Sequence, residues 1–239
     1  MRPLLLLLLL LPRSDATRLL LVRHGRTFMN EHPSQPGKAS VGFVDPGLWD
    51  TRLSPTGEAQ ARELNAQLRA RQSAGEPGVD LLLASPLRRA LATAEIGFDG
   101  VACASQRVEP LAAERCYLSS DVGSPLAELQ AAFAPEWRLS SSDTLKEDWW
   151  FQGDGAAEWR APGTYLHPGE DGPTFYARMA RLIVTLRACE AEVGEHGVIA
   201  LVAHWGVTHA LTGRSFANCE WADMALSEVP DAPFMCPDL

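Results

Sequence analysis

The sequence predicts an α/β protein, a three-layer αβα sandwich with a mostly parallel central sheet. Two observations carry that prediction. Short, continuously apolar runs ("LLLV", "DLLLA", "VIALVA") alternate with long amphipathic segments, and strands buried on both faces need such runs. Each run is also followed within a few residues by a turn or by helix-start chemistry. At 239 residues the chain suits one domain with an insertion, and it is long enough to bury a core without disulfides.

Residues 1–16 form a leucine-rich leader, with one basic residue ahead of eight leucines and a Ser14-Asp15-Ala16 segment behind them. That outline fits a short secretory signal. It is too short for a stable membrane span, which takes about 20 apolar residues. A cytoplasmic protein with a leucine-rich leader is the competing reading, and both stand. The domain proper runs over 17–239.

Thr17 to Val22 reads as the first strand, ending at Gly25. Residues 31–50 are rich in Pro and Gly and read as a loop. "LSPTGEAQARELNAQLRARQ" is a helix with Ser54 as N-cap, Pro55 in the first turn and Glu58 close behind. Ala61, Leu64 and Leu68 give it an apolar stripe. "VDLLLAS" is a second buried strand, and "SPLRRALATAEIGF" is a helix started by Ser85 and Pro86. "RVEPLAAE" reads as a short edge strand, because Pro110 limits its pairing.

From about 115 to 171 the pattern breaks into an insertion bearing Trp137, Trp149, Trp150 and Trp159. Its place in the chain puts it near a pocket mouth. Its tryptophans read as a satellite core, with a substrate wall as the alternative. "PTFYARMARLIVTLRACEAEV" is then a long amphipathic helix, "GVIALVAHWG" a third buried strand, and "GVTHALTG" the start of another helix.

Composition narrows the function classes. Hydrophobic residues at 46% and charged residues at 21% are ordinary for a soluble globular chain. A formal net charge of −9 disfavours nucleic acid, whose phosphates demand basic surface. Five cysteines without a C-x-x-C pair form neither a complete disulfide framework nor a zinc motif. Cys103 and Cys189, set among alanines, read as small apolar residues. Oligomeric state is left open.

The polar residues fall in one pattern. "LLLV" ends at Arg23-His24-Gly25, "DLLLA" at Ser85 with Arg88 one turn into the next helix, and "VIALVA" at His204. Alone, each has a bland explanation: a strand end, a solvated helix surface, a satisfied core histidine. Recurrence after three strands favours a shared site. Ligands in open α/β sheets bind beyond the carboxyl ends of the strands, where helix N-termini favour anions. Two guanidiniums and two imidazoles there describe a phosphate pocket. An arginine about 4 Å from a phosphate charge gains up to roughly 4 kcal/mol at an effective dielectric near 20. His204 and His209 lack a third ligand for zinc, so no metal or cofactor is expected, and His209 reads as a packing residue.

"RHGRTFMN" resembles the R-H-G-x-T-x-x-N signature of the histidine phosphatase superfamily, the phosphoglycerate-mutase-like enzymes. "LSPTGEAQA", "SPLRRALATAE" (family pattern S-P-x-x-R-[AT]-x-x-T-A), "VAHWGV" and "LTGRSFANCE" resemble further family segments, in the family's order, from Leu19 to Glu220. The insertion resembles that of a plant and fungal group of such proteins. The resemblance implies that His24 takes the phosphoryl group. It implies that Arg23, Arg88 and His204 hold phosphate oxygens, with Asn30 nearby. The family's proton-donating acid maps to Glu114, with Glu109 and Asp121 as rivals. The implied function is metal-independent hydrolysis of a small phosphorylated metabolite through a phosphohistidine. A phosphoglycerate-type phosphomutase and a non-catalytic scaffold of the same fold are the alternatives.

Overall fold

The computed structural model describes residues 16–32, 45–133, 137, 147–153 and 169–236. Nearly all of the leader, the centre of the 31–50 loop, Trp159 and much of the insertion lie outside the described residues. In chain order come β1 (Arg18–Arg23), a single turn α1 (Phe28–Glu31), α2 (Pro55–Ser73), β2 (Val79–Ala84), α3 (Arg88–Gly97), β3 (Cys103–Val108), α4 (Leu126–Ala132), α5 (Gly172–Val193), β4 (Val198–Ala203), α6 (Trp205–Thr212) and β5 (Trp221–Ala225).

The strands form one sheet in the order β3-β2-β4-β1-β5. β4 enters the centre and pairs in parallel with both β1 and β2, while β5 closes one edge antiparallel to β1. Side chains alternate across the sheet, so each strand feeds two cores. Leu19, Leu21, Leu81, Leu83, Ile199 and Leu201 face α5 and α6 through residues such as Phe175, Met179, Leu182 and Val207. Leu20, Val22, Leu82, Ala84, Ala200 and Val202 face α2 and α3 through Leu64, Leu68, Leu91 and Ala94. Helices on both faces make the three-layer sandwich that the apolar runs predict.

Ser54 caps α2 as expected, its Oγ accepting from Gly57 N at 3.2 Å. Three expectations need correction. The edge strand is Cys103–Val108 rather than "RVEPLAAE": Pro110 has no N–H to offer a ladder and starts a 3₁₀ turn instead. α3 starts at Arg88 with Leu87 at the N-cap, and the Ser85 hydroxyl bonds His204 rather than acting as a distant cap. Cys189 is buried, but Cys103 sits half-buried on the edge strand, and all five cysteines are free. Among the described residues no helix is long and apolar enough to cross a membrane.

Candidate active site

β1, β2 and β4 run parallel, so their carboxyl ends reach one edge of the sheet. His24 directly follows β1 and His204 directly follows β4. Their rings lie 5.0 Å apart between centroids, inclined at 55°. Both are buried, at 4% and 0% exposure. His24 Nδ1 lies 2.7 Å from Gly25 O. A carbonyl only accepts, so Nδ1 carries the proton and Nε2 the lone pair. Three further bonds fix this strand end. Cys219 N donates to Arg23 O and His24 O at 3.0 and 3.2 Å, and Asn218 Nδ2 donates to His24 O at 3.0 Å. Gly25 is required by space, since a Cβ there would lie 2.7 Å from Gly57 O.

His204 Nε2 lies 2.7 Å from Ser85 Oγ. Its Nδ1 is buried without a hydrogen-bond partner among the described residues. Burial, followed by the positive fields of Arg89, Arg178 and Arg23, holds the ring's pKa well below the usual imidazole value. Arg23 donates through Nη1 to Phe216 O at 2.5 Å, and its Nε is likewise buried and unpartnered. Burial lowers its pKa, opposed by the nearby Glu114 carboxylate. His204 Nδ1 and Arg23 Nε are thus two buried polar atoms without a hydrogen-bond partner among the described residues.

The structure separates the two arginines of α3. Arg88 is held by another set of partners, with Nε 2.9 Å from Ser124 Oγ and Nη2 3.0 Å from Glu128 Oε2, and its amide donates to the buried Asp50. Arg89 turns inward. It is 3% exposed, donates to Ser120 O at 2.5 Å and Asp121 Oδ1 at 2.9 Å, and its charge is felt at both His204 and Arg23. Arg89, not Arg88, stands beside the histidines, because successive helical residues point about 100° apart. The fifth position of the S-P-x-x-R pattern is Arg89, a signal the sequence contained.

Asn30 also has a different place. Its amide oxygen accepts from Thr27 N while Thr27 Oγ1 accepts from Asn30 N, at 3.2 and 3.1 Å. This reciprocal cap holds the loop after His24.

Glu114 is brought to the site. Its Oε2 accepts from Gly206 N at 3.2 Å and its Oε1 from Arg115 N at 3.0 Å. A side chain on Gly206 would overlap the carboxylate. The rivals are engaged elsewhere: Glu109 caps the 3₁₀ turn by accepting from Leu111 N, and Asp121 anchors Arg89. The Glu114 loop is itself clamped. Arg178 donates to the carbonyls of Leu111, Ala113 and Glu114 and makes a paired bond to Glu170 at 2.6 and 2.9 Å. Nothing in the sequence pairs these groups in advance.

Beside Glu114 opens a cavity of about 470 Å³ whose lining includes Trp149, Trp150 and Phe151. Trp137 is buried in the core, and Trp150 and Phe151 pack on Cys116 and Val122. Of the described insertion tryptophans, Trp137 thus joins the main core, Trp150 packs in a small satellite core, and Trp149 and Trp150 line the cavity. His209 stacks on Trp205 at 5.5 Å. Among the described residues no three His, Cys, Asp or Glu side chains cluster as metal ligands.

Two solved structures of similar fold carry the name of a phosphatase. The ecdysone phosphate phosphatase of Bombix mori in complex with tungstate is 15% identical, with 92% of this chain and 95% of that chain covered and a TM-score of 0.57. A putative alpha-ribazole-5'-P phosphatase from Escherichia coli K-12 is 20% identical, with coverage of 87% and 89% and a TM-score of 0.51. No curated protein matches the sequence. The model of the histidine phosphatase superfamily, branch 1, matches residues 19–232, and the chain belongs to that superfamily.

Proposed function

We propose that the protein is a phosphomonoester hydrolase in which His24 takes the phosphoryl group and passes it to water. The observation that carries this is the Nδ1–Gly25 bond of 2.7 Å, which assigns the lone pair to Nε2 of a ring pinned at the end of a buried strand. Nucleophilic catalysis needs such a fixed, neutral ring. Arg23 and Arg89 supply the charge that spreads over the transferring oxygens. His204 contributes a hydrogen-bond donor. Ser85 Oγ accepts from Leu87 N at 3.3 Å and can give its own proton to Nε2, which leaves the hydrogen on the unpartnered Nδ1. Glu114 protonates the departing alkoxide and then activates water.

The proposed chemistry draws its positive charge from guanidinium groups and calls for no metal. His24→Ala tests the reading. The variant is expected to lose turnover of p-nitrophenyl phosphate and to form no acid-labile, base-stable phosphoprotein. Activity retained in that variant would remove His24 from its role.

A further inference from the structure

We propose that Thr93 is a positioning residue for the nucleophile, its buried hydroxyl fixing the Gly25 backbone from which His24 takes its orientation. The proposal rests on the phosphatase reading above and extends its machinery by one residue. His24 owes its proton placement to a neighbour with little stiffness of its own. The acceptor of its Nδ1–H is Gly25 O at 2.7 Å, and glycine restricts its own φ and ψ less than any other residue. Gly25 has no side chain to hold that carbonyl still, so the bonds around it must.

Both peptide planes beside Gly25 are held at both ends. In the plane between His24 and Gly25, His24 O accepts from Cys219 N and Asn218 Nδ2, and Gly25 N donates to Thr93 Oγ1 at 3.0 Å. In the plane between Gly25 and Arg26, the carbonyl accepts from His24, and Arg26 N donates to Gln60 Oε1 at 2.9 Å. The Gln60 bond is exposed, so water can replace it. Thr93 is 0% exposed and has no such substitute.

The hydroxyl is also fixed in direction. An amide N–H only donates, so Oγ1 accepts from Gly25. Its own proton goes to Arg89 O, one turn back on α3, at 2.7 Å. A single oxygen thereby ties the strand end carrying His24 to the helix carrying Arg89, and in the phosphatase reading those two side chains act on one phosphoryl group. Packing alone would be served by valine, which has nearly the same shape. Removing the hydroxyl leaves the buried Gly25 N–H unpaired.

Thr93→Val in the full chain tests this. Its kcat on p-nitrophenyl phosphate is expected to fall by about 10²-fold, the scale of a displaced reacting group. Its calorimetric affinity for inorganic phosphate should stay within about threefold, because Arg89 keeps its own anchors at Ser120 O and Asp121. Thr93→Ser keeps the hydroxyl and should recover kcat to within about fivefold of the parent. Thr93→Cys differs from the serine variant by one sulfur, a weak acceptor. It should behave as the valine variant does, and it carries the test where valine does not fold. Imidazole nitrogen NMR, with the His24 signals identified by their loss in His24→Ala, should show the Nδ1–H tautomer in the parent and in Thr93→Ser. In Thr93→Val and Thr93→Cys it should show a mixture of tautomers. A kcat within about threefold of the parent in those two variants, a loss of phosphate affinity equal to the loss in kcat, a serine variant no better than the cysteine one, or an unmoved tautomer would overturn the proposal. Any of these results in a protein whose parent turns over substrate sinks the role of Thr93 alone. The expected tautomer change around a parent without turnover sinks the phosphatase reading and keeps Thr93 as the residue that orients His24.

Discussion

Arg88 and Arg89 are the same residue type, adjacent on one helix, and their surroundings give them opposite work. Arg89→Lys keeps the charge but loses the planar fork that bridges Ser120 O and Asp121. Its kcat/KM on p-nitrophenyl phosphate is expected to fall by about 10²-fold, the scale of a lost transition-state donor. Arg88→Ala should leave the affinity for inorganic phosphate within about threefold. It should cost about 1–2 kcal/mol of stability in urea titration through lost bonds to Ser124 and Glu128. The reverse pattern would return Arg88 to the pocket. His204 makes a pH prediction. Its folded pKa is lowered, so the unfolded chain binds the proton more readily. Its contribution is zero above the unfolded value near 6.5 and turns destabilising as pH falls below it. Melting temperatures between pH 8 and 5 should decline below about pH 6.5, and less so in His204→Gln. At this scale the histidines were legible because each ends an apolar strand. Choosing between the neighbouring arginines turned on the fifth position of the S-P-x-x-R pattern, and the inward bond of Arg89 to Asp121 shows which of the two it marks.

At the scale of elements, the loop that carries Glu114 is held by α5 rather than by its own sequence. Arg178 and the nearly inaccessible Glu170 form its clamp, with Cys116 N donating to the same carboxylate at 3.2 Å. Glu170→Ala strands a guanidinium among carbonyl groups and is expected to cost about 3–5 kcal/mol in chemical denaturation. A loss under 1 kcal/mol would show that the loop holds itself. This clamp was invisible in the sequence because its partners lie more than fifty positions from the segment they grip, as in the Arg115 bond to Glu170 O. β5 was missed for a different reason. Residues Trp221–Ala225 are half-buried throughout, so neither a continuous apolar run nor clean alternation marks them. The buried strands β1, β2 and β4 were legible because two covered faces leave no room for polar residues.

For the molecule as a whole, a ligand that binds only the assembled site stabilises the entire domain. Inorganic phosphate at 100 times its Kd is expected to add about 2.7 kcal/mol, which for a chain of this size is a rise of about 5–10 °C in Tm. EDTA should leave both that rise and the turnover unchanged. A Tm indifferent to phosphate would deny the pocket. The central place of β4 has one more consequence. β1 and β2 cannot pair with each other, since the strand between them is supplied only by residues 198–203. A nascent polypeptide emerging from the ribosome therefore holds an open slot where His204 belongs until residues 198–203 have been made. A chain released before that point carries His24 without its companion ring.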